Sequence, residues 1–237
     1  MPALLAFDTA TDRLHLGLSL GTREWPVESE GGASASGALI GRILALLTGA
    51  GAALRELDAI AFGRGPGAFT GLRTACAVAQ GLALGSGRPL LAIDTLMAVA
   101  EDARLRTGAS DVWAATDARM GEIYAARYAH DGEAWRTVSE PGLYAPQELA
   151  SRWHEQPVQA VAGNALLAFE GRIGTGSALV VADARPTARA LLACARAGWA
   201  QGAHCDAADA LPLYVRNRVA STTAEREALK AAPAAAR

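Results

Sequence analysis

Hydrophobic and polar positions in the first half of the chain switch between a period of two and a helical period. Residues 3–7 form a short apolar run, and residues 14–20 carry a leucine at every second position, which is typical of a strand with one covered face. Residues 37–49 place apolar side chains at helical spacing. The same patterns predict strands at 57–63 and 89–93 and helices at about 70–85 and 95–106.

The second half of the chain begins with a pattern similar to that of the first half. Aligning Asp117 with Asp8 superimposes "WAATD" on "LLAFD", and a polar turn and a second strand follow in each case. We favour an internal duplication over a chance likeness of two hairpins, because each hairpin opens a half of similar length. The remaining predicted elements are helices near 146–154 and 186–201 and short strands at 158–163 and 178–182.

Composition and charge narrow the class of protein. Hydrophobic residues make up 51% of the chain and charged residues 19%, which allows a sizeable core. A formal net charge of -2 gives no overall attraction for nucleic acid or anionic membranes. Three scattered cysteines fit a reducing compartment better than a disulfide framework. No signal peptide is recognised, and no apolar stretch reaches the ~18 residues of a membrane span. We therefore expect a soluble, cytoplasmic protein that does not bind membranes.

The segment "GRGPGAFTG", residues 63–71, concentrates glycine before a predicted helix. Exposed amides at a helix start attract anions, so the segment could cradle a phosphate. Alternatively, it is a tight strand-to-helix turn whose glycines let the helix pack closely. The turn is favoured, because the spacing matches neither GxxxxGK[ST] nor GxGxxG and the only lysine is Lys230. The residues assigned to this structural loop are Gly65, Pro66, Gly67 and Thr70, with Thr70 as the helix cap.

The helix after this loop carries a stripe of small residues. Gly71, Ala75, Ala79 and Ala83 recur every four residues, so they share one face. Such a face lets another backbone come close, either within the same chain or in a partner. The spacing alone does not separate these two interpretations.

The residues of catalytic type match no recognised arrangement of an active site. The histidines show no pair at helical spacing: His15, His130, His154 and His204. His15 is predicted to face solvent, and Cys76 is predicted to be buried in mid-helix. Ala68 stands where a G-x-S-x-G hydrolase has its serine. We predict no catalytic residue, no metal ligand and no cofactor site.

Four charged residues near predicted turns have roles that the sequence leaves open. Asp8 and Asp117 each follow an apolar strand, where they could hold a metal or a phosphate-bound water. Alternatively, each begins a turn by binding its own backbone, as aspartate readily does. Arg119 and Arg216 could bind anions or pair with acidic side chains.

Several segments together resemble the TsaB family, once called YeaZ. "FGRGPGAFTGLR" is similar to the family signature, and "LLAFDTAT", "AQGLALG", "DTLMAVA", "DARMGEIYAARY" and "PLYVRN" resemble family segments at matching separations. The resemblance covers nearly the whole chain except the tail. The chain departs from the family at Ala68, where serine is usual, and Ala10 stands where ATP-using members of the wider fold favour glycine.

The resemblance implies an α/β protein with the actin-like (ASKHA) fold, in which two ribonuclease-H-like lobes hold mixed sheets flanked by helices. We expect an N-terminal lobe at 1–106 that carries the partner-binding helices. We expect a C-terminal lobe at 107–222, whose last helix is a candidate for packing back on the first lobe. The alanine-rich residues 223–237 are expected to be a flexible tail.

The resemblance also implies a role in tRNA modification. Family members are understood as non-catalytic scaffold subunits that dimerise with TsaD, the transferase that forms N6-threonylcarbamoyladenosine at position 37 of tRNAs reading codons that begin with A. The ATPase TsaE docks on that pair, and tRNA is reached through the complex. The contact is expected on the 37–49 and 70–84 helices, and the same surface could form a homodimer of the isolated chain. The expected interface residues are Leu39, Ile43, Leu47, Gly71, Ala75 and Ala79.

Two other functions of this superfamily serve as alternatives. A metallopeptidase would need metal ligands or a nucleophile, and the sequence offers no constellation of either kind. A small-molecule kinase would need a glycine-rich adenosine-binding turn in the second half. The candidates for that turn, at Gly163 and at 171–177, are weak matches.

Overall fold

The computed structural model describes residues 1–31 and 33–216 of the chain. The elements of its N-terminal half are β1 (Leu4–Asp8), β2 (Arg13–Leu20), β3 (Arg23–Glu30), α1 (Ala33–Ala50), β4 (Ala59–Gly65), α2 (Phe69–Ser86), β5 (Leu90–Asp94) and α3 (Thr95–Thr107). The strands form one sheet with the order β3-β2-β1-β4-β5. Strands β1, β2 and β3 pair antiparallel, whereas β4 and β5 run parallel to β1.

The C-terminal half repeats this arrangement. Its elements are β6 (Asp111–Asp117), β7 (Ile123–His130), β8 (Trp135–Tyr144), α4 (Pro146–Glu155), β9 (Ala160–Ala162), α5 (Ala165–Ala168), β10 (Leu179–Val181) and α6 (Ala188–Ala200). The sheet order is β10-β9-β6-β7-β8, with β9 and β10 parallel to β6. The strands therefore pair in the same sequence in both halves, which supports the internal duplication. Two mixed sheets flanked by helices form the expected actin-like fold.

Each sheet is covered by helices on both faces. On β2, the alternating Leu14, Leu16 and Leu18 are fully buried in the core that also includes α1 and α2. Gly17 points the opposite way, where a Cβ atom would lie 3.0 Å from Cδ1 of Leu192 in α6. Helix α6 packs on β1, β2, β4 and β5 of the first sheet, and α3 packs on β6, β7 and β9 of the second. The last helix of each half thus lies against the sheet of the other half.

The hydrophobic pattern does not predict β3 and β8, and both are edge strands. Strand β3 alternates charged, exposed residues with half-buried ones and contains Pro26, which an edge strand tolerates. Strand β8 contains Pro141 and holds no fully buried residue. Helix α1 begins at Ala33 rather than at residue 37. The tail predicted at 223–237 lies outside the described residues.

Candidate functional site

The glycine segment between β4 and α2 lies directly on the turn that follows β1. The Ala68 N–H donates to the Ala10 carbonyl at 2.8 Å, and the Thr9 hydroxyl donates to the Gly71 carbonyl at 2.8 Å. A Cβ atom at Gly67 would lie 2.5 Å from the Ala10 carbonyl oxygen, so a side chain there requires the turn to move. Protein backbone therefore occupies the space against the loop, which favours a tight turn over a phosphate cradle.

The other residues of the predicted structural loop have separate roles. Gly65 has a φ of +108°, which L side chains rarely adopt, and a cis peptide bond joins it to Pro66. Thr70 is not the helix cap, and that prediction is wrong. Helix α2 begins at Phe69, so Ala68 occupies the cap position, where it makes no side-chain hydrogen bond.

Asp8 is completely buried at the end of β1. Its Oδ1 accepts a hydrogen bond from the Ala10 N–H at 2.6 Å, and its Oδ2 accepts one from the Thr95 hydroxyl at 2.6 Å. Burial raises the pKa of Asp8, while these two hydrogen bonds and the nearby His15 act in the opposite direction. Both carboxylate oxygens thus have internal partners, which favours a structural role over a metal or phosphate site.

Asp117 has the corresponding place at the end of β6 and also begins a turn. Its Oδ1 accepts from the Arg119 N–H at 2.8 Å, and its Oδ2 lies 3.3 Å from Nη1 of Arg119. Arg216 reaches the same turn, where it donates to the Ala118 carbonyl at 3.0 Å and lies 2.7 Å from the Glu122 carboxylate. Of the roles left open for the two arginines, the structure shows pairing with acidic side chains.

Two residues considered for chemistry lie in the interior. His15 is fully buried, so the prediction that it faces solvent is wrong. It lies on the α6 side of β2, two residues before Gly17, and burial lowers its pKa. Cys76 is buried as predicted, its thiol donates to the Ala210 carbonyl at 3.2 Å, and burial raises its pKa. Within residues 1–31 and 33–216, no group of three or more His, Cys, Asp or Glu side chains is arranged to hold a metal.

The residues expected at the partner interface are buried inside the chain's own N-terminal half. They are Leu39, Ile43 and Leu47 of α1 and Gly71, Ala75 and Ala79 of α2. The apolar members pack in one core with the inward-facing residues of β1, β2 and β4, and Gly71 lies against the turn after β1. The expectation that these six residues form an outward surface is therefore corrected. The stripe of small residues on α2 serves packing within the chain.

The opposite sides of α1 and α2 form an exposed surface of apolar and small residues. Ile40 and Leu44 are 50% and 51% exposed on α1, and Leu84 is 78% exposed on α2. The two helices also contact each other. We call this surface the α1–α2 face and define it by its exposed residues Gly37, Ile40, Gly41, Leu44, Ala45, Ala77, Gly81, Leu84 and Gly85. Arg42 is the only charged residue within α1, and Arg73 is the only one within α2.

Glycines on the α1–α2 face have no evident role within the chain. A Cβ atom at Gly37, Gly41, Gly81 or Gly85 would meet nothing within 4 Å. Ala77, Gly81 and Gly85 repeat every four residues, displaced by two from the buried stripe, and two helical residues turn the side chain by about 200°. The sequence therefore carries a second small-residue stripe, which the predicted interface does not include.

None of the helices in the described parts of the chain combines the length and the apolar character that crossing a membrane needs.

The chain is similar in sequence to known proteins over most of its length. The family model described as "TsaD: tRNA N6-adenosine threonylcarbamoyltransferase" matches residues 35–190. The tRNA threonylcarbamoyladenosine biosynthesis protein TsaB of Escherichia coli (strain K12) is 38% identical over 186 residues, which are 74% of this chain and 78% of that protein. The protein of the same name from Haemophilus influenzae is 30% identical over 226 residues, 91% of this chain and 94% of that protein.

A solved structure is also similar to this chain over most of its length. "YeaZ from Pseudomonas aeruginosa" superposes with a TM-score of 0.82 at 36% identity, covering 90% of this chain and 100% of that chain. The TsaD model matches the middle of the chain, whereas the TsaB and YeaZ relatives extend over most of it. The chain therefore belongs to the TsaB (YeaZ) family and takes part in the biosynthesis of threonylcarbamoyladenosine in tRNA.

Proposed function

We propose that this chain is a non-catalytic scaffold subunit of the complex that forms N6-threonylcarbamoyladenosine at position 37 of tRNAs reading codons that begin with A. In this proposal it dimerises with the transferase TsaD. The observation that carries the proposal is the α1–α2 face, because it is an exposed, nearly uncharged surface on two adjacent helices. Contiguous exposed apolar surfaces commonly mark contacts between proteins.

The glycines of this face support a contact between helices. Glycine in a helix interior destabilises the helix by about 0.5–1 kcal/mol relative to alanine. Gly37, Gly41, Gly81 and Gly85 have open space around the position of a Cβ atom, so packing within the chain does not require them. A partner helix that approaches closely does require small residues, because large side chains would hold the two backbones apart.

Three observations support a role without catalysis. The glycine loop lies against Thr9 and Ala10, and the Ala68 amide donates to the Ala10 carbonyl. Both oxygens of Asp8 have internal hydrogen-bond partners. The thiol of Cys76 is buried and donates to a backbone carbonyl. A peptidase or a kinase would need some of these groups exposed in a cleft, so the scaffold is the better supported function.

The proposal includes TsaE and tRNA as further partners, which meet this chain through its pairing with TsaD. TsaE docks on the pair, and tRNA is reached through the complex rather than by this chain alone. In the absence of TsaD, a second copy of this chain offers the same small-residue surface, so the α1–α2 face would form a homodimer.

A reconstitution experiment tests the proposal. Purified TsaD from the same source would be mixed with this chain, with its Ala45→Arg variant, or with an Ala200→Arg control whose substitution lies on the exposed end of α6. Binding to TsaD and formation of the modified nucleoside would be measured together. We expect Ala45→Arg to abolish both and Ala200→Arg to change neither. Full modification by TsaD without this chain, or normal binding of the Ala45→Arg variant, would contradict the proposal.

A further inference from the structure

A cavity lies between the two halves of the molecule, on the α6 side of the N-terminal sheet. Its volume is about 210 Å³, and β5, the C-terminal part of α6 and the start of β8 surround it. The lining residues that matter here are Arg64, Asp94, Met97, Trp135, Thr137 and Gln201. Ligand pockets occur preferentially at such boundaries between domains. The α1–α2 face lies on the other side of the same sheet, so the cavity is separate from the proposed partner surface.

An ion pair forms the polar end of this cavity. Nε of Arg64 donates to Oδ1 of Asp94 at 2.5 Å. The Asp94 side chain is 7% exposed, whereas that of Arg64 is 39% exposed. Within the described residues, this is the one hydrogen bond found for either side chain. The two terminal nitrogens of Arg64 and Oδ2 of Asp94 therefore have no hydrogen-bond partner among the described residues.

The rest of the cavity combines an apolar wall with a few polar groups. Trp135 and Met97 supply the apolar surface, and Thr137 and Gln201 supply a hydroxyl and an amide. Tyr128 stands edge-on to Trp135, with ring centroids 6.4 Å apart, and its buried hydroxyl has no hydrogen-bond partner among the described residues. Burial raises the pKa of Tyr128, the nearby Asp94 raises it further, and Arg64 opposes the rise. The phenol thus stays protonated and keeps a hydrogen-bond donor without a partner among the described residues.

We propose that this cavity binds a free zwitterionic amino acid with an apolar side chain. The α-carboxylate lies on the terminal nitrogens of Arg64, whose planar fork suits a carboxylate, and the α-ammonium lies on Oδ2 of Asp94. The side chain lies against Trp135 and Met97. A simple anion would be repelled by Asp94, and a simple cation would be repelled by Arg64, so a ligand carrying both charges fits best. The volume is below the about 300–1,000 Å³ of pockets for drug-sized ligands, which agrees with a small ligand.

Calorimetric titration of the full chain tests this assignment. The probes are L-leucine, L-methionine and L-phenylalanine, with 3-phenylpropanoate and phenethylamine as analogues of phenylalanine that lack the ammonium or the carboxylate. We expect saturable binding of at least one amino acid at one site per chain. Each analogue should bind at least about tenfold more weakly than phenylalanine, because a hydrogen bond to a charged group is lost. No saturable binding of any of the three amino acids, or equal binding of an analogue, would overturn the proposal.

A matched pair of variants locates the site. Ala197 lines the cavity, whereas Ala200 is exposed on the same helix. Ala197→Leu fills the cavity and leaves Arg64 and Asp94 unchanged, so it should abolish amino-acid binding. Ala200→Leu should bind as the parent chain does, and melting curves would show that both variants fold. Binding that survives Ala197→Leu in the folded protein would place the site elsewhere and overturn the assignment.

Discussion

The Thr95 hydroxyl donates a hydrogen bond of 2.6 Å to Oδ2 of Asp8 and joins the first residue of α3 to the last residue of β1. Helix α3 packs on the C-terminal sheet, whereas β1 lies in the centre of the N-terminal sheet. Within the N-terminal half, this bond therefore fixes the start of the helix that packs on the C-terminal sheet. Both oxygens of the fully buried Asp8 carboxylate need hydrogen-bond partners, so the loss of this bond should destabilise the chain.

We expect Thr95→Val to destabilise the chain by about 1–3 kcal/mol, the cost of leaving a buried polar group without a partner. Valine has nearly the shape of threonine, so the lost donor dominates the effect. The free energy of unfolding would be measured in urea. Thr74→Val is the control, because its hydroxyl bonds only to the Thr70 carbonyl near the surface of α2, and it should change stability by at most about 0.5 kcal/mol. Equal effects of the two substitutions would contradict the role given to Thr95.

Asp8 also predicts a pH dependence of stability. Burial raises the folded-state pKa of Asp8 above the ordinary 3.8, so the folded chain holds this proton more tightly than the unfolded chain. Its contribution to stability therefore falls as pH rises from the unfolded value through the raised folded value, and is constant above it.

The amide introduced by Asp8→Asn does not ionise, so the variant lacks this decline of stability with pH. We expect the stability of the variant, relative to the parent chain, to rise between a pH near 3.8 and neutral pH. The charge of Asp8 raises the pKa of the neighbouring His15, so the comparison is repeated in a His15→Gln background, where this coupling is absent. Urea unfolding at several pH values measures the difference, and a relative stability that is constant or falls with pH would rule out the raised pKa.

Gly67 tests the close contact between the glycine loop and the turn after β1. A Cβ atom there would lie 2.5 Å from the Ala10 carbonyl oxygen, so Gly67→Val should destabilise the chain by about 1–3 kcal/mol through overpacking. The cause is this contact rather than backbone strain, because the positive φ in the loop belongs to Gly65. Thermal unfolding measures the effect. An unchanged melting temperature would mean that the turn moves aside freely.

Gly81→Ala should change the stability of the chain in the opposite direction from Gly67→Val. Gly81 lies within α2 with open space around the position of a Cβ atom, so Gly81→Ala should stabilise the isolated chain by about 0.5–1 kcal/mol. The same methyl group lies on the α1–α2 face, so it should weaken binding to TsaD and any homodimer. Urea unfolding and a binding titration would be run on one preparation. Tighter binding, or a stability gain without any loss of binding, would argue against a close helix contact at this position.

More of the fold than of the candidate surface can be predicted from the sequence, and the reason is physical. Alternating leucines at 14, 16 and 18 and the helical spacing in 37–49 report burial directly, so the central strands and the long helices follow from the sequence. Edge strand β3 has charged residues at both ends and few apolar side chains around Pro26, so its sequence does not report burial in this way. On α2, both sides carry small residues, at Ala75 and Ala79 on one side and at Ala77 and Gly81 on the other. Periodicity separates the two stripes, but only the position of the sheet decides which one is buried.

Substitutions two residues apart on α2 distinguish these stripes. Ala79 is completely buried against the sheet, so Ala79→Arg places an unpaired charge in the core and should cost more than about 4 kcal/mol, which unfolds the chain or leaves little of it folded. Ala77 is exposed, and arginine is a good helix former, so Ala77→Arg should change the free energy of unfolding by at most about 0.5 kcal/mol.

The two variants should therefore lose tRNA modification for different reasons. Ala77→Arg should remain folded by circular dichroism, fail to bind TsaD and elute as a monomer in size-exclusion chromatography, because a long charged side chain holds the partner helix away. Ala79→Arg should lose binding together with its folded structure. A folded Ala79→Arg chain would show that the buried stripe is accessible after all. A folded Ala77→Arg chain that binds TsaD with unchanged affinity would remove the α1–α2 face as the partner surface and leave the scaffold proposal without the observation that carries it.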